Sequence, residues 1–448
     1  MPRAPRQRAN TARVIIQTLI YTIILPACII GLVLFVSSMS SRNGGNLEEE
    51  NAPMETRYFQ VQSIDTMQDS RDRAREVEKN PAAFDAVIER DMTLISHAGA
   101  THVAIDTPYD PEFSAVLKRW VDAARTYGLS VWFRGNFSGW EGWFGYASIT
   151  PATHLSMLRN FITSNAELFE NGDIFTPCPE CENGGPGDPR KTGDARGYDD
   201  FLVAEHQTAL SAFGTIGKDV SVYASMNKDI ASDILTKDTA AALGGTILID
   251  HYAPLADDYA LTIDDLSSRL SARIGIGEFG APIPNINGAM TDKMQAAFVG
   301  NTLTLLAREK PALPLVNYWS IENGSTALVN ENGKPKDAYG ILADYFKPIM
   351  LSGTIKDPTG TAVPSADVSI NGVSASFSVE NGGSYNILVP SVENGVDIEF
   401  SKAGYAGTST TIRAPDAGGA RKIERNIVLA PSPPSLWYGI ETFIRALF

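Results

Sequence analysis

Between Arg57 and Phe346 the chain alternates two hydrophobic rhythms. Short apolar runs bounded by Gly, Pro, Asn or Asp occur at Tyr58–Ile64, Thr101–Asp106, Ser130–Phe137, Asp173–Cys178, Val220–Ser225, Thr246–Tyr252, Arg273–Phe279 and Pro314–Ser320. Each predicts a buried strand. Between them apolar residues recur every three or four positions, as in Pro81–Ala98, Pro111–Tyr127, Pro151–Phe169, Tyr198–Phe213 and Ala289–Arg308, with Asp337–Phe346 closing the series. These predict amphipathic helices, several opening on Pro or on a Thr or Asp cap. Strand and helix in eightfold alternation predict an α/β fold of the (β/α)8 (TIM) barrel type. A doubly wound open sheet is the competitor. It favours a Gly-rich phosphate turn after the first strand, and Ile64-Asp-Thr-Met-Gln-Asp69 offers none.

After Pro348 the rhythm changes. Leu351–Leu429 is rich in Thr, Ser, Val, Gly and Asn, with alternating runs at Ala366–Ile370, Ala375–Val379, Tyr385–Val389 and Asp397–Phe400. Asn371-Gly372, Asn381-Gly382-Gly383 and Asn394-Gly395 separate the runs, so residues 349–430 are expected to form a small antiparallel β-sandwich. A Pro-rich hinge follows from Pro431. The tail then places Trp437, Ile440, Phe443, Ile444 and Leu447 at helical spacing. It either packs back on the protein or lies at a membrane interface. Packing is favoured, because the tail lacks the Lys/Arg-rich face of interfacial helices.

Ahead of the barrel, Met1–Arg13 carries four arginines and no acid, and Val14–Val36 runs 23 residues without a charge. That length spans a bilayer as an uncleaved transmembrane helix. Leu25-Pro-Ala-Cys28 resembles a lipoprotein box, but the apolar run continues through Val36. Arginines before the span and Glu48-Glu49-Glu50 after it place residues 1–13 in the cytoplasm. By this reading a linker (37–56), the barrel (57–348) and the sandwich lie outside the cell membrane.

Composition narrows the function. A net charge of −15 argues against nucleic acid as a partner. Three cysteines exclude a disulfide-stapled scaffold. Five histidines form no HxH or HExxH pattern, and no cofactor fingerprint occurs, so neither metal nor cofactor is expected.

In a barrel of this type reactive groups project from the C-terminal ends of the strands. Those ends offer Asp65, Asp106, Arg134 with Asn136, Glu180 with Glu182, Asn227, Asp250-His251-Tyr252, Glu278, and Trp319 with Glu322. Strands four and seven face each other across a barrel, and each contributes a glutamate. Two opposed carboxylates are what glycoside hydrolysis requires. One holds its proton for the leaving oxygen while the other is ionised to attack the anomeric carbon, and different environments hold their pKa values apart. The loop Gly135–Tyr146 adds Phe137, Trp140, Trp143, Phe144 and Tyr146. These rings either stack on sugar faces or fold over a hydrophobic rim.

Phe175-Thr-Pro-Cys-Pro-Glu-Cys181, Asp250-His-Tyr252, Ile276-Gly-Glu-Phe-Gly280 and Asn317-Tyr-Trp-Ser320 carry a more specific likeness. Across Arg57–Lys347 the chain resembles the retaining glycoside hydrolase clan built on (β/α)8 barrels, nearest to the cellulase-like family five. The resemblance implies Glu180 as acid/base and Glu278 as nucleophile. It also implies that Tyr252 hydrogen-bonds the nucleophile and that Trp319 floors the sugar subsite, with His251 beside them. Two departures stand out. Pro179 occupies the place of an Asn that binds the substrate 2-hydroxyl, leaving Asn136 or Asn227 as substitutes. Arg134 lies on strand three, where the family does not usually keep its arginine.

Cys178 and Cys181 flank Glu180. They lack a second Cys or His pair for zinc and are expected either to bridge, stiffening the acid's loop, or to remain buried thiols. Ser352-Gly-Thr-Ile-Lys-Asp-Pro-Thr-Gly360, Val363-Pro-Ser-Ala-Asp-Val368, Gly383-Ser-Tyr385 and Lys402-Ala-Gly-Tyr405 resemble a carboxypeptidase regulatory-like domain, which implies an accessory module. The expected function is a membrane-anchored, extracytoplasmic retaining β-glycosidase acting on a polysaccharide or cell-surface glycan, its substrate an oligosaccharide or polysaccharide. The alternative is a non-catalytic glycan-binding or structural surface protein on a degenerate barrel.

Overall fold

Nine pieces of parallel strand make one sheet: β1 (Val61–Asp65), β2 (His102–Ile105), β3 (Ser130–Phe133), β4 (Ile174–Phe175), β5 (Ser221–Val222), β6 (Ala224–Asn227), β7 (Thr246–Asp250), β8 (Arg273–Phe279) and β9 (Leu315–Tyr318). They pair in the order β5-β4-β3-β2-β1-β9-β8-β7-β6. The two ends of that order, β5 and β6, are halves of one extended segment interrupted only at Tyr223. The first half pairs with β4 and the second with β7, so eight staves form a nearly closed barrel. The computed structural model describes residues 57–309, 313–370, 373–375, 382–393, 395–414 and 421–432. The expected membrane span, the linker and the apolar tail lie outside them. Among the described residues no helix is long and apolar enough to cross a membrane.

The staves are buried on both faces, which is why β2, β7 and β9 read as continuous apolar runs rather than alternations. Ala104, Trp132, Ile174, Leu248 and Leu315 form a cluster separate from the larger one that joins strands to helices. Helices Pro81–Ala98, Ser114–Thr126, Pro151–Ser164, Ala195–Ile216, Lys237–Ala242, Asp257–Leu270, Asp292–Leu306 and Asp337–Phe346 follow the eight staves in turn. Two expected helices break where the chain changes pitch. Pro111–Phe113 is a 3-10 turn before Ser114, and Pro151–Ser164 ends ahead of a second such turn at Ala166–Leu168.

From Ile349 onward two sheets share a core. One runs β12 (Val373–Ala375), β11 (Asp367–Ile370), β14 (Val396–Ser401), β15 (Thr408–Ile412) and is antiparallel throughout. The other centres on β10 (Ile349–Lys356), with β13 (Ser384–Val389) antiparallel to it. β16 (Lys422–Glu424) and β17 (Ile427–Val428) lie parallel to β10, which corrects the expectation of a purely antiparallel sandwich. The chain re-enters this sheet travelling in the same direction as the strand that opened it. Leu351, Val368, Ile387, Phe400 and Ile412 fill the shared interior. Met350 and Leu388 join the barrel's core instead, and the Tyr58 hydroxyl donates to the Leu388 carbonyl at 2.7 Å. β10 therefore belongs to both bodies, and the accessory sheets are packed onto the barrel.

Candidate active site

Glu278 stands near the end of β8, the longest stave, and is 7% exposed. Its two carboxylate oxygens face different partners. Arg134 Nη2 lies 2.7 Å from Oε1, and the Tyr252 hydroxyl donates to Oε2 at 2.6 Å. Arg134 follows β3 and is itself buried. It bridges to Asp65 Oδ2 at 2.8 Å and Asp250 Oδ2 at 3.3 Å as well as to Glu278. Asp250 Oδ1 accepts from Ser225 Oγ at 3.0 Å. This approach fixes the residue at 277: a Cβ there would fall 2.3 Å from Asp250 Oδ1 and 2.6 Å from Ser225 Oγ. Only glycine lets β8 pass so close.

Arg134 is thus a single buried cation among Asp65, Asp106, Asp250 and Glu278. Burial opposes its charge, but Glu278, Asp250, Asp106 and Asp65 together outweigh that and hold it firmly protonated. Burial pushes the carboxyls of Asp65, Asp106 and Asp250 up, and Glu278 adds to the rise at Asp65 and Asp250. Asp106 Oδ2 has no hydrogen-bond partner. Acids at strand ends such as Asp65 and Asp106 can serve simply as loop caps. Asp65 does accept from the Met67 amide at 2.7 Å, and it also anchors the arginine.

Glu180 arrives from the opposite wall. β4 is only two residues long, and Glu180 lies beyond it in a left-handed backbone conformation, φ 46° and ψ 54°, heading the short turn Cys181–Asn183. A non-glycine residue held there is strained, and such residues gather at functional sites. Its amide donates to the Ser225 carbonyl at 3.1 Å and Asn183 Nδ2 donates to its Oε2 at 2.9 Å. Cys178 and Cys181 are joined by a disulfide that closes this loop around Glu180. Burial first, then Glu278 and Glu182, push the Glu180 carboxyl up to about 8. One oxygen from each of Glu180, Asp250 and Glu278 lies within 4.8 Å of the other two. Glu182 is used differently: Tyr198 donates to it at 2.9 Å, and the Asn227 amide and side chain each donate at 2.8 Å. Glu180, not Glu182, is the glutamate whose oxygen stands beside that of Glu278.

Trp319 follows β9, is half-buried, and meets Tyr252 edge to face at 6.1 Å beside the carboxylates. Trp143 is half-exposed, with the Arg71 guanidinium 4.9 Å from its ring. Four other residues expected to bind substrate are placed elsewhere. Trp140 is 4% exposed and stacks on His154 at 4.0 Å and on Phe201 at 5.3 Å, which makes it core rather than a sugar platform. His251 alternates with Asp250 and Tyr252, so it turns toward helix Asp257–Leu270. There it contacts Tyr259 at 4.8 Å and Thr262 Oγ1 at 3.2 Å. Burial pushes its pKa down to about 4. Asn136 donates to Glu141 Oε1 at 2.8 Å and accepts from the Phe137 amide, and Asn227 is committed to Glu182. Neither amide stands free to replace the residue missing at Pro179. Sequence reasoning also missed Glu141, whose carboxyl burial raises to about 7.

No family model matches the chain, and no curated protein does. Among solved structures it is similar to a Bacteroides uniformis β-glucuronidase (12% identity, 82% of this chain, 46% of that chain, TM-score 0.47). It is also similar to a family 5 xyloglucanase from Paenibacillus pabuli (16% identity, 57% and 89%, TM-score 0.42). A third is a broad specificity endoglucanase from Bacteroides salanitronis (14% identity, 58% and 84%, TM-score 0.42). The chain spans about half the length of the β-glucuronidase, 46%. Likenesses this remote do not assign an activity.

Proposed function

We propose that the protein is a retaining glycoside hydrolase cleaving β-glycosidic bonds of an oligosaccharide or polysaccharide. The observation that carries this reading is the approach of Glu180 and Glu278 to within 4.8 Å, oxygen to oxygen, in unlike surroundings. Retaining enzymes hold their carboxyl groups about 5–5.5 Å apart, whereas inverting ones leave about 6.5–9.5 Å for a water. Glu180, protonated up to about pH 8, gives its proton to the leaving glycosidic oxygen. Glu278, oriented by Arg134 and Tyr252, attacks the anomeric carbon and forms a glycosyl ester as that bond breaks. Glu180, now ionised, takes a proton from water, whose oxygen displaces Glu278 and restores both groups. Trp319, packed against Tyr252, offers its ring to the sugar.

The accessory sheets are read as a spacer or glycan-contacting module. Residues 14–36 are read as the anchor holding the enzyme outside the cell membrane. The test is to assay the purified protein on β-glucans, mannans and xylans for reducing-sugar release. Glu278→Ala should abolish release while leaving the circular dichroism spectrum intact. The first product, followed by NMR, should retain the β configuration. Binding without release, indifferent to Glu278→Ala, would leave the non-catalytic reading in its place.

A further inference from the structure

The bridge between Cys178 and Cys181 encloses Pro179 and Glu180. The residue held in a left-handed backbone conformation is therefore also the one inside the ring. Its loop continues from β4, which is two residues long and meets β5 through two residue pairs. The surroundings of the two sulfurs are unlike those of an inert staple. Trp140 Nε1 donates to Cys178 Sγ at 3.1 Å, and Asn136 Nδ2 donates to the same sulfur at 3.7 Å. A carboxylate oxygen of Glu205, from helix Ala195–Ile216, lies within 4.8 Å of both sulfurs. Glu205 is 2% exposed and pairs with His154 Nε2. Neither Glu205 nor His154 has a part in the glycosidase steps.

A bridge that only closes a loop needs neither feature. A bonded sulfur is a weak acceptor, and two N–H groups aimed at it are far better matched to a thiolate. The C-x-x-C spacing favours a thiolate in the same way. On the other side, burial pushes the Glu205 carboxyl up, against the opposing effect of His154. A protonated carboxyl in that place can deliver its proton to a departing sulfur.

We propose that Cys178–Cys181 is a redox-active bridge through which a dithiol switches Glu180 between a held and a released position. The inference rests on the assignment of Glu180 as the acid. Local opening of the short β4–β5 ladder brings Cys178 within reach. A thiolate of the dithiol attacks Cys178 Sγ and the bond to Cys181 breaks. Cys181 Sγ leaves with the electron pair and takes the proton from Glu205. The dithiol's second thiolate then attacks its own sulfur in the mixed disulfide, and Cys178 leaves as a thiolate facing Trp140 and Asn136. The dithiol ends as a disulfide, two electrons poorer. Its two protons pass to water, from which Glu205 recovers the one it gave. Out of the ring, Glu180 has no covalent tie to its left-handed conformation, and turnover falls. Reoxidation by a disulfide restores it.

The full-length protein is treated with dithiothreitol without denaturant and alkylated, and the peptide bearing residues 178–181 is weighed, which sets Cys28 aside. That peptide should carry two labels. Reducing-sugar release on the β-glucan, mannan and xylan panel should show kcat lower by about tenfold or more with KM little changed. Oxidised glutathione, added once dithiothreitol is removed, should restore both bridge and turnover. Glu205→Gln should slow reduction by about tenfold or more. Trp140→Phe keeps a ring and loses the N–H, so it should raise the Cys178 thiol pKa, read from the pH dependence of that peptide's alkylation. A bridge that opens only in urea would overturn the proposal, as would release that survives complete reduction. Reduction and alkylation rates indifferent to both substitutions would overturn it too. No release by the oxidised protein would overturn the glycosidase reading and this proposal together, a result distinct from release that ignores reduction.

Discussion

Replacing Glu180 with Gln should make the protein more stable and less active, and the size of the gain should depend on pH. The folded protein raises this carboxyl from 4.5 to about 8, by burial and by the charges of Glu278 and Glu182. In the unfolded chain the group ionises near its ordinary value. As pH rises above 4.5 the unfolded state releases this proton while the folded state keeps it, so stability falls, and the fall levels off near pH 8. Each pH unit across that window is worth about 1.4 kcal/mol. The penalty is therefore about 0.7 kcal/mol at pH 5 and roughly 3 kcal/mol at pH 7, the latter an upper figure because the side chain keeps some contact with water. Gln cannot ionise, keeps the shape, and can still pair with Asn183. Urea unfolding of both proteins at pH 5 and pH 7 measures the gap. It should widen by about 2 kcal/mol between the two, while turnover of Glu180→Gln falls by roughly 10²- to 10⁴-fold and loses its basic limb. A gap that stays constant or reverses, or a basic limb near pH 8 that survives the substitution, would refute the assignment of the proton to Glu180.

Other substitutions probe the supporting groups. Arg134→Met removes the one cation that Asp65, Asp250 and Glu278 share, and should lower stability at neutral pH by about 3–5 kcal/mol, read by urea denaturation. Trp140→Ala should cost about 3–5 kcal/mol in stability through the void left between His154 and Phe201, visible as a lower thermal midpoint. Any residual activity should keep its KM, because that ring is not offered to substrate. The double change Cys178→Ser with Cys181→Ser opens the loop around Glu180; kcat should drop about tenfold or more while the thermal midpoint moves little, since so short a bridge restricts little chain entropy.

The barrel was legible because each stave and its helix announce themselves locally. Pro81–Ala98 and Asp337–Phe346 have the bounds that apolar periodicity assigns them. The carboxylate pair was legible because strand ends point at one another in this architecture, wherever their residues fall in sequence. What escaped depended on distant partners. Trp140 in a Gly-rich loop looks like a sugar platform until His154 and Phe201, from two later helices, close over it. Asp65 and Asp106 resemble caps because nothing near them in sequence announces Arg134. His251 was within reach of sequence reasoning: if Asp250 and Tyr252 face the cavity, strand alternation turns the residue between them outward. The parallel return of β16 and β17 was not, because their short runs carry no sign of which neighbour they join.

The interrupted stave at Tyr223 leaves the two sides of the site unequally held. β4 and β5 hold each other through two residue pairs only, and the loop bearing Glu180 hangs from that seam, while Glu278 rides on a seven-residue strand flanked on both sides. Local opening draws on the weakest ladder first. Backbone amides around 174–176 and 221–223 should therefore exchange with deuterium well before those of 274–278. Under the proposed function, the acid Glu180 sits on the more easily opened side of the site and the nucleophile Glu278 on the firmer one.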